Sequence, residues 1–167
     1  MLFCYIVMSP FVLQDEYGLS PQAFSIVFAV NSVGLVACSQ LSAYLIRRLG
    51  PSRTLTIGLV TGGTAATALA IAAILGAGLA VLLPLLLVAV STVALLMRTS
   101  TALALSEHGS RAGSASGLIG LAQFGVGGTV APLVSLAGAT AVAMAVAMAG
   151  SALLALAVLC VARLGSL

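Results

Sequence analysis

The stretch LAVLLPLLLVAVSTVALLMRTSTALAL, residues 79–105, decides the fold. It carries a single charge, Arg98, and is long enough to cross a bilayer core, which takes about 20 apolar residues at ~1.5 Å rise each. Four further runs of this kind are predicted, at about residues 21–46, 54–75, 112–136 and 140–162. A shorter run, residues 1–13, would reach roughly 20 Å as a helix, too little to cross a ~30 Å core alone. The whole chain shares this character. Of its 167 residues, 62% are hydrophobic and 5% are charged, with no Trp and no Lys, and mean hydropathy is +1.29. A soluble domain carries roughly 25% charged residues, so a soluble enzyme, a nucleic-acid-binding domain and a disordered chain are all disfavoured. A membrane-spanning backbone must satisfy its polar groups internally, in helices or in a closed barrel. A barrel would alternate apolar and polar residues. These runs do not alternate, so the expected fold class is all-α, a polytopic membrane helix bundle, with the lipid bilayer as its surroundings and no nucleic acid among its partners.

Local signals punctuate the runs. Pro10 lies near the end of the partial span, followed by the acidic connection Gln14-Asp15-Glu16-Tyr17-Gly18-Leu19. Ser20-Pro21 reads as an N-cap with Pro at the first helical position. That helix is expected to stop in the loop Arg47-Arg48-Leu49-Gly50-Pro51-Ser52-Arg53, and later spans turn at Gly76-Ala77-Gly78, at Ser106-Glu107-His108-Gly109-Ser110-Arg111 and near Gly138. Arginines fix orientation, because positive residues in short loops stay cytoplasmic. Arg47, Arg48, Arg53, Arg111 and Arg163 all fall on one side by span count. Asp15, Glu16 and the Gly76 and Gly138 turns fall on the other, which predicts an external Asp15-Glu16 loop and a cytoplasmic C-terminus.

Small and polar residues inside the spans are the candidate functional groups. Gly occupies 18 positions. Ala112, Ser116 and Gly120 recur every four residues, with Gly113 and Gly117 beside them and Gln123, Gly127, Gly128 and Ala131 extending the stripe. Such stripes let helix backbones approach. The reading is either plain packing or a helix that slides or bends, with Gly128 and Pro132 as a weak point in the hydrogen-bond ladder. Asn31 shares a face with Gly34, Cys38 and Ser42, Gln40 lies opposite, and Gln123 sits mid-span. Each amide is costly against lipid and must face protein or a cavity. Arg98, about two turns from its helix end, either snorkels or pairs, or draws a polar or anionic substrate.

Other chemistry finds little support. Cys4, Cys38 and Cys160 are widely spaced in apolar runs and read as packing residues. The N-terminal residues lack the basic region of a signal peptide. Ser106-Glu107-His108 are adjacent and do not form a triad, and a lone His108 has no metal partner. Gly62-Gly63 and Gly127-Gly128 lack the Lys-Ser/Thr of a phosphate loop. No cofactor and no enzymatic activity are expected. No carboxylate lies within a full span, so the chain lacks the intramembrane acid a proton relay normally uses.

Several stretches together resemble a known family. Ser9-Pro10-Phe11-Val12-Leu13-Gln14-Asp15-Glu16-Tyr17-Gly18-Leu19-Ser20-Pro21-Gln22 is similar to the seventh-helix exit of Bcr/CflA-type multidrug efflux transporters of the major facilitator superfamily. Phe24 through Asn31-Ser32-Val33-Gly34-Leu35, Arg47-Arg48-Leu49-Gly50-Pro51, Thr101-Ala102-Leu103-Ala104-Leu105 with Arg111-Ala112-Gly113-Ser114-Ala115-Ser116, Gln123-Phe124 and Ala131-Pro132-Leu133 agree in order and spacing. One departure falls at Arg98-Thr99, where the family often carries Pro-Asn. The resemblance implies residues 1–167 as the C-terminal six-helix half of a twelve-helix transporter, from late helix 7 to helix 12, with two inverted three-helix repeats. It implies an N-terminal half as partner, holding the coupling carboxylate, with proton-driven export of a small-molecule drug across the cell inner membrane. Asn31, Gln123 and Arg98 would then line the cavity, and Arg47, Arg48 and Arg53 would set the inner gate. A metabolite permease of the same superfamily and a non-transporting membrane fragment are the alternative readings.

Overall fold

In the computed structural model, residues 1–106, 112–136, 138 and 140–164 are described, without the side chains at 104–106, 112, 114–116, 131–132, 134–136 and 162–164. The chain runs through α1 (Leu2–Pro10), a π-helical turn (Phe11–Glu16), α2 (Pro21–Leu49), α3 (Pro51–Ile74), α4 (Leu79–Ser106), α5 (Ala112–Leu136) and α6 (Ala141–Leu164). No strand occurs among the described residues. The helical bundle expected from the apolar runs is therefore what the chain forms. Pro21–Leu49, Pro51–Ile74, Leu79–Leu103 and Ala141–Val161 are long and apolar enough to cross a membrane, and α5 contains the shorter apolar stretch Gly117–Val130.

The helix starts follow their capping chemistry. Ser20 Oγ accepts a 3.2 Å hydrogen bond from Ala23 N–H, and Pro21 takes the first helical position. At the other end of α2 the expected arginine loop is not a loop. Gly50 alone connects α2 to α3, with φ +80°. Its N–H donates to Ile46 O at 3.0 Å, and its own carbonyl accepts from Thr54 N–H at 3.2 Å. Only Gly adopts that φ without strain, and Pro51 opens α3 because a first-turn N–H needs no partner. Arg47 and Arg48 thus lie in the last turn of α2, and Arg53 in the first turn of α3.

The first span also differs from its apolar limits. The helix does not stop at Leu13 but widens after Pro10 into a π turn that ends at Glu16. Tyr17 N–H reaches back to Val12 O at 3.1 Å, and Leu19 N–H to Leu13 O at 2.9 Å. Asp15 and Glu16 are therefore helical rather than looped.

Burial concentrates on α3 and its neighbours. Gly58, Gly62, Ala65, Ala66, Leu69 and Ala73 of α3 are buried, and these small residues let α4 come close. A Cβ at Gly58 would collide with the Leu95 and Leu96 side chains, and one at Gly62 would stand 2.7 Å from Thr92 Oγ1. Met144, Ala145, Met148 and Ala152 of α6 and Tyr5, Met8 and Val12 of α1 complete the core. By contrast, α2 buries only Asn31 and Ser42. On α2 and α5 large apolar side chains face outward, among them Ile26, Val33, Val36, Leu118, Leu121 and Phe124. Outside a membrane or a partner such a surface would be untenable.

Candidate functional site

A cavity of about 570 Å³ opens between α1, α4, α5 and α6. That volume is typical of small-molecule sites. Met1 to Cys4 close one wall, Val93, Leu96 and Met97 a second, Val126, Gly127 and Val130 a third, and Ala147, Gly150 and Leu154 the last. Among the described residues two polar side chains reach it, Gln123 and Ser151. Ser151 Oγ donates to Met148 O at 2.8 Å, which leaves its lone pairs as acceptors. The space is thus an apolar chamber with one amide and one hydroxyl acceptor.

The wall nearest α5 is closed by an aromatic contact. Phe3 meets Phe124 edge to face, with ring centroids 5.5 Å apart. The Phe3 ring lies so close over Gly127 that no Cβ could be accommodated there without displacing it. Gly127 is therefore the residue at which α5 admits α1.

The other sequence-level candidates do not share this chamber. Arg98, one residue beyond the lining Met97, is exposed and donates from Nη1 to Ser39 O at 3.2 Å, tying α4 to α2. Asn31 is buried where α2 meets the rest of the bundle, and its amide nitrogen donates to Val27 O at 2.9 Å. Gln40 is exposed. Of the three candidate cavity residues only Gln123 lines the space. The glycine stripe likewise divides. Among the described residues, a Cβ at Gly117, Gly120 or Gly128 would meet nothing within 4 Å. Pro132 lies in α5 with its side chain outside the described set, and Arg111 and His108 lie outside the described residues. Phe3, Gly127 and Ser151 were not singled out by sequence as site residues. The only signal for Gly127 is its place in a stripe whose phase the sequence does not fix.

At one end of the bundle three connections meet. Glu16 Oε2 accepts a 2.6 Å hydrogen bond from Ala141 N–H, and the Tyr17 hydroxyl donates to Ala77 O at 3.4 Å. The acidic connection, the α3–α4 turn and the start of α6 are thereby joined. Arg47, Arg48 and Arg53 mark the opposite end. Burial pushes the Tyr17 phenol above its usual range, and the neighbouring Glu16 carboxylate pushes the same way. Arg48 lies over the Tyr44 ring, 5.6 Å from its centroid. Among the described residues no three His, Cys, Asp or Glu side chains converge as a metal site would require.

The family profile of the Major Facilitator Superfamily matches residues 1–132, most of the chain and all of α1 to α4. The chain belongs to the major facilitator superfamily. It is 34% identical over 146 residues to an uncharacterized MFS-type transporter, YdgK, of Bacillus subtilis strain 168. That alignment covers 85% of this chain but 35% of the relative, so the chain spans about a third of that protein's length. No solved structure matches the chain. Membership in this superfamily agrees with the four helices long and apolar enough to cross a membrane.

Proposed function

We propose that the chain is the C-terminal half of a drug exporter of the Bcr/CflA type, driven by a proton gradient. The observation that carries the reading is the apolar chamber, whose only polar side chains among the described residues are Gln123 and Ser151. Sugars and amino acids need many hydrogen-bonding partners, and burying them here would leave their polar groups unpaired. A lipophilic drug with one polar handle has no such cost.

The N-terminal half is the proposed partner. The apolar outer faces of α2 and α5 suit a protein neighbour, and the Gly117 and Gly120 positions on α5 leave space for close backbone approach. The coupling acid is assigned to that half, because the acids among the described residues, Asp15 and Glu16, sit at the end of the π turn rather than at mid-span. The arginine-bearing end is assigned to the cytoplasmic side of the inner membrane, with the C-terminus on that side.

Co-expression with the N-terminal half of the same transporter tests the reading. Efflux of a lipophilic dye from energised cells is expected, and its collapse when the proton gradient is dissipated. Dye retention equal to that of cells lacking both halves, where a full-length relative exports the dye, would overturn it.

A further inference from the structure

Arg98 is the single charged side chain of the span Leu79–Leu103, and its contacts show which way it turns. Thr99 of α4 faces Ser42 of α2 with their hydroxyls 3.5 Å apart, and Ser91 of α4 packs against Gly34 of α2. The two helices therefore run in parallel, in a register that sets Arg98 level with Leu41. Arg98 Nη1 donates to Ser39 O at 3.2 Å, two residues nearer the middle of α2 and about 15 Å along that helix from its end at Leu49. A snorkelling arginine would reach the opposite way, to the level where Arg48 lies over the Tyr44 ring. Helical side chains lean towards the start of their own helix, which for Arg98 is away from that level.

This contact leaves the charge largely uncompensated. A guanidinium carries five N–H donors, and here one of them meets a carbonyl inside a helix, where carbonyls already serve the N–H one turn on. Asp15 and Glu16, the acids among the described residues, lie at the other end of the bundle. Arg98 does not line the chamber, so a cargo held there does not meet it. Acyl chains at this depth offer no acceptor, and a charge in the bilayer interior is costly until it is paired. The Arg98 side chain is exposed, as are Val36, one turn back from Ser39 on α2, and Val33 one turn further. A neighbour that covers this face must be apolar and carry one anionic group at the level of Ser39.

We propose that Arg98 is the docking point for a carboxylate that the N-terminal half presents, at membrane depth, on an apolar helix packed against α2. The proposal rests on the reading of this chain as one half of a transporter. The chemistry suits a carboxylate. Ser39 O holds Nη1 and so fixes the plane of the guanidinium, and the edge formed by Nε and Nη2 can then donate to both oxygens of one acid in two parallel hydrogen bonds. Ordering by Ser39 is what makes the fork selective for a planar anion over a point contact.

Carbodiimide coupling tests the docking point, because the chain has no lysine. Arg98→Lys, co-expressed with the N-terminal half, adds the one side-chain amine of this chain at the proposed contact. A membrane-permeant carbodiimide activates the facing carboxyl, the amine displaces the activating group as a urea, and an amide joins the two halves. The joined product is expected several-fold above its level in wild type and in Arg98→Gln, with the link at an Asp or Glu of the N-terminal half by peptide mass spectrometry. Arg98→Gln should also co-purify several-fold less of that half, and Arg98→Lys should retain most of it. Undiminished co-purification in Arg98→Gln, or associated halves with no joined product above wild type in Arg98→Lys, overturns the docking point alone. A link to Glu107 of this chain, or attachment of a phospholipid to the introduced amine, overturns it in the same way. Halves that fail to associate even in wild type overturn the half-transporter reading, and the docking point with it.

Discussion

Glu16 and Ala141 are 125 residues apart in sequence and 2.6 Å apart in space, the Glu16 carboxylate accepting the first free N–H of α6. Thr140 caps the same terminus, its Oγ1 accepting from Ala143 N–H at 3.2 Å. The start of a helix carries partial positive charge and unpaired N–H groups. A carboxylate supplied from the π turn of α1 meets both needs and fixes the end of the first helix to the last. Glu16→Ala is expected to lower stability by about 1 kcal/mol, the scale of a lost cap. Glu16→Gln should retain most of the hydrogen bond and lose the charge contribution. Melting temperatures in detergent measure the series, and an order other than wild type above Gln above Ala would refute the role.

Tyr17 sits beside this contact and donates to Ala77 O across the α3–α4 turn. Its phenol is raised first by burial and second by the Glu16 charge. A raised value for an acid means the folded state prefers the protonated form. The contribution is therefore complete at neutral pH, where the phenol donates, and is lost as pH rises through the folded-state value above the usual phenol range near 10. The difference in absorbance titration between wild type and Tyr17→Phe isolates this group. Glu16→Gln should move the Tyr17 titration down towards its ordinary range, and an unchanged midpoint would remove the carboxylate from the explanation.

How much of this was legible in sequence depends on what each signal physically encodes. Ser20-Pro21 announces a helix start because capping is local chemistry, and the structure has Ser20 bonding Ala23 N–H. Gly50-Pro51 was legible as a break but not as a one-residue break, since Pro both stops one helix and opens the next. The π turn at Phe11–Glu16 escaped because hydropathy reports side chains, and Gln14 ends an apolar run without ending a helix. Polar residues within spans were recognisable as groups that need partners. Their partners were not, because Gln123, Asn31 and Arg98 carry the same signal but face a cavity, a helix seam and a backbone carbonyl respectively. Gly127 and Gly128 are adjacent in sequence yet about 100° apart on the helix, and only the packing shows which of them meets Phe3.

That distinction is measurable. Gly127→Ala places a methyl group where the Phe3 ring lies, and overpacking of this kind costs about 1–3 kcal/mol. The cost should largely vanish in a Phe3→Ala background, which makes the pair strongly non-additive. Gly128→Ala meets no described neighbour within 4 Å and should be neutral or stabilising by up to ~1 kcal/mol through helix propensity. Additive effects for Gly127→Ala and Phe3→Ala would show that the ring does not occupy that socket.

Gly117 and Gly120 separate a role within the chain from a role between halves. A methyl group added at either would meet no described atom of this chain within 4 Å, so Ala at either site should leave the stability of the 167-residue chain unchanged or raise it by up to ~1 kcal/mol through helix propensity. If the open face of α5 receives the N-terminal half, Gly117→Leu should weaken co-purification of the two halves without lowering the stability of this chain. Undiminished co-purification would place the interface on another face.

Gln123 provides the most direct test of the chamber. It is the one side-chain amide on a wall whose other polar side chain among the described residues is Ser151, so a ligand that reaches it gains an N–H donor that the other described side chains of the wall do not offer. A net hydrogen bond of this kind contributes about 1 kcal/mol, or about fivefold in affinity. Gln123→Leu should therefore weaken binding of a lipophilic probe carrying one hydrogen-bonding group by about that factor. It should leave unchanged, or tighten, binding of a pure hydrocarbon probe of the same size, because the amide then no longer needs to be desolvated. Fluorescence titration of both probes against the chain in nanodiscs, with empty nanodiscs subtracted, reads the two affinities. A parallel loss for both probes would mean that Gln123 supports the shape of the chamber rather than contacting what enters it.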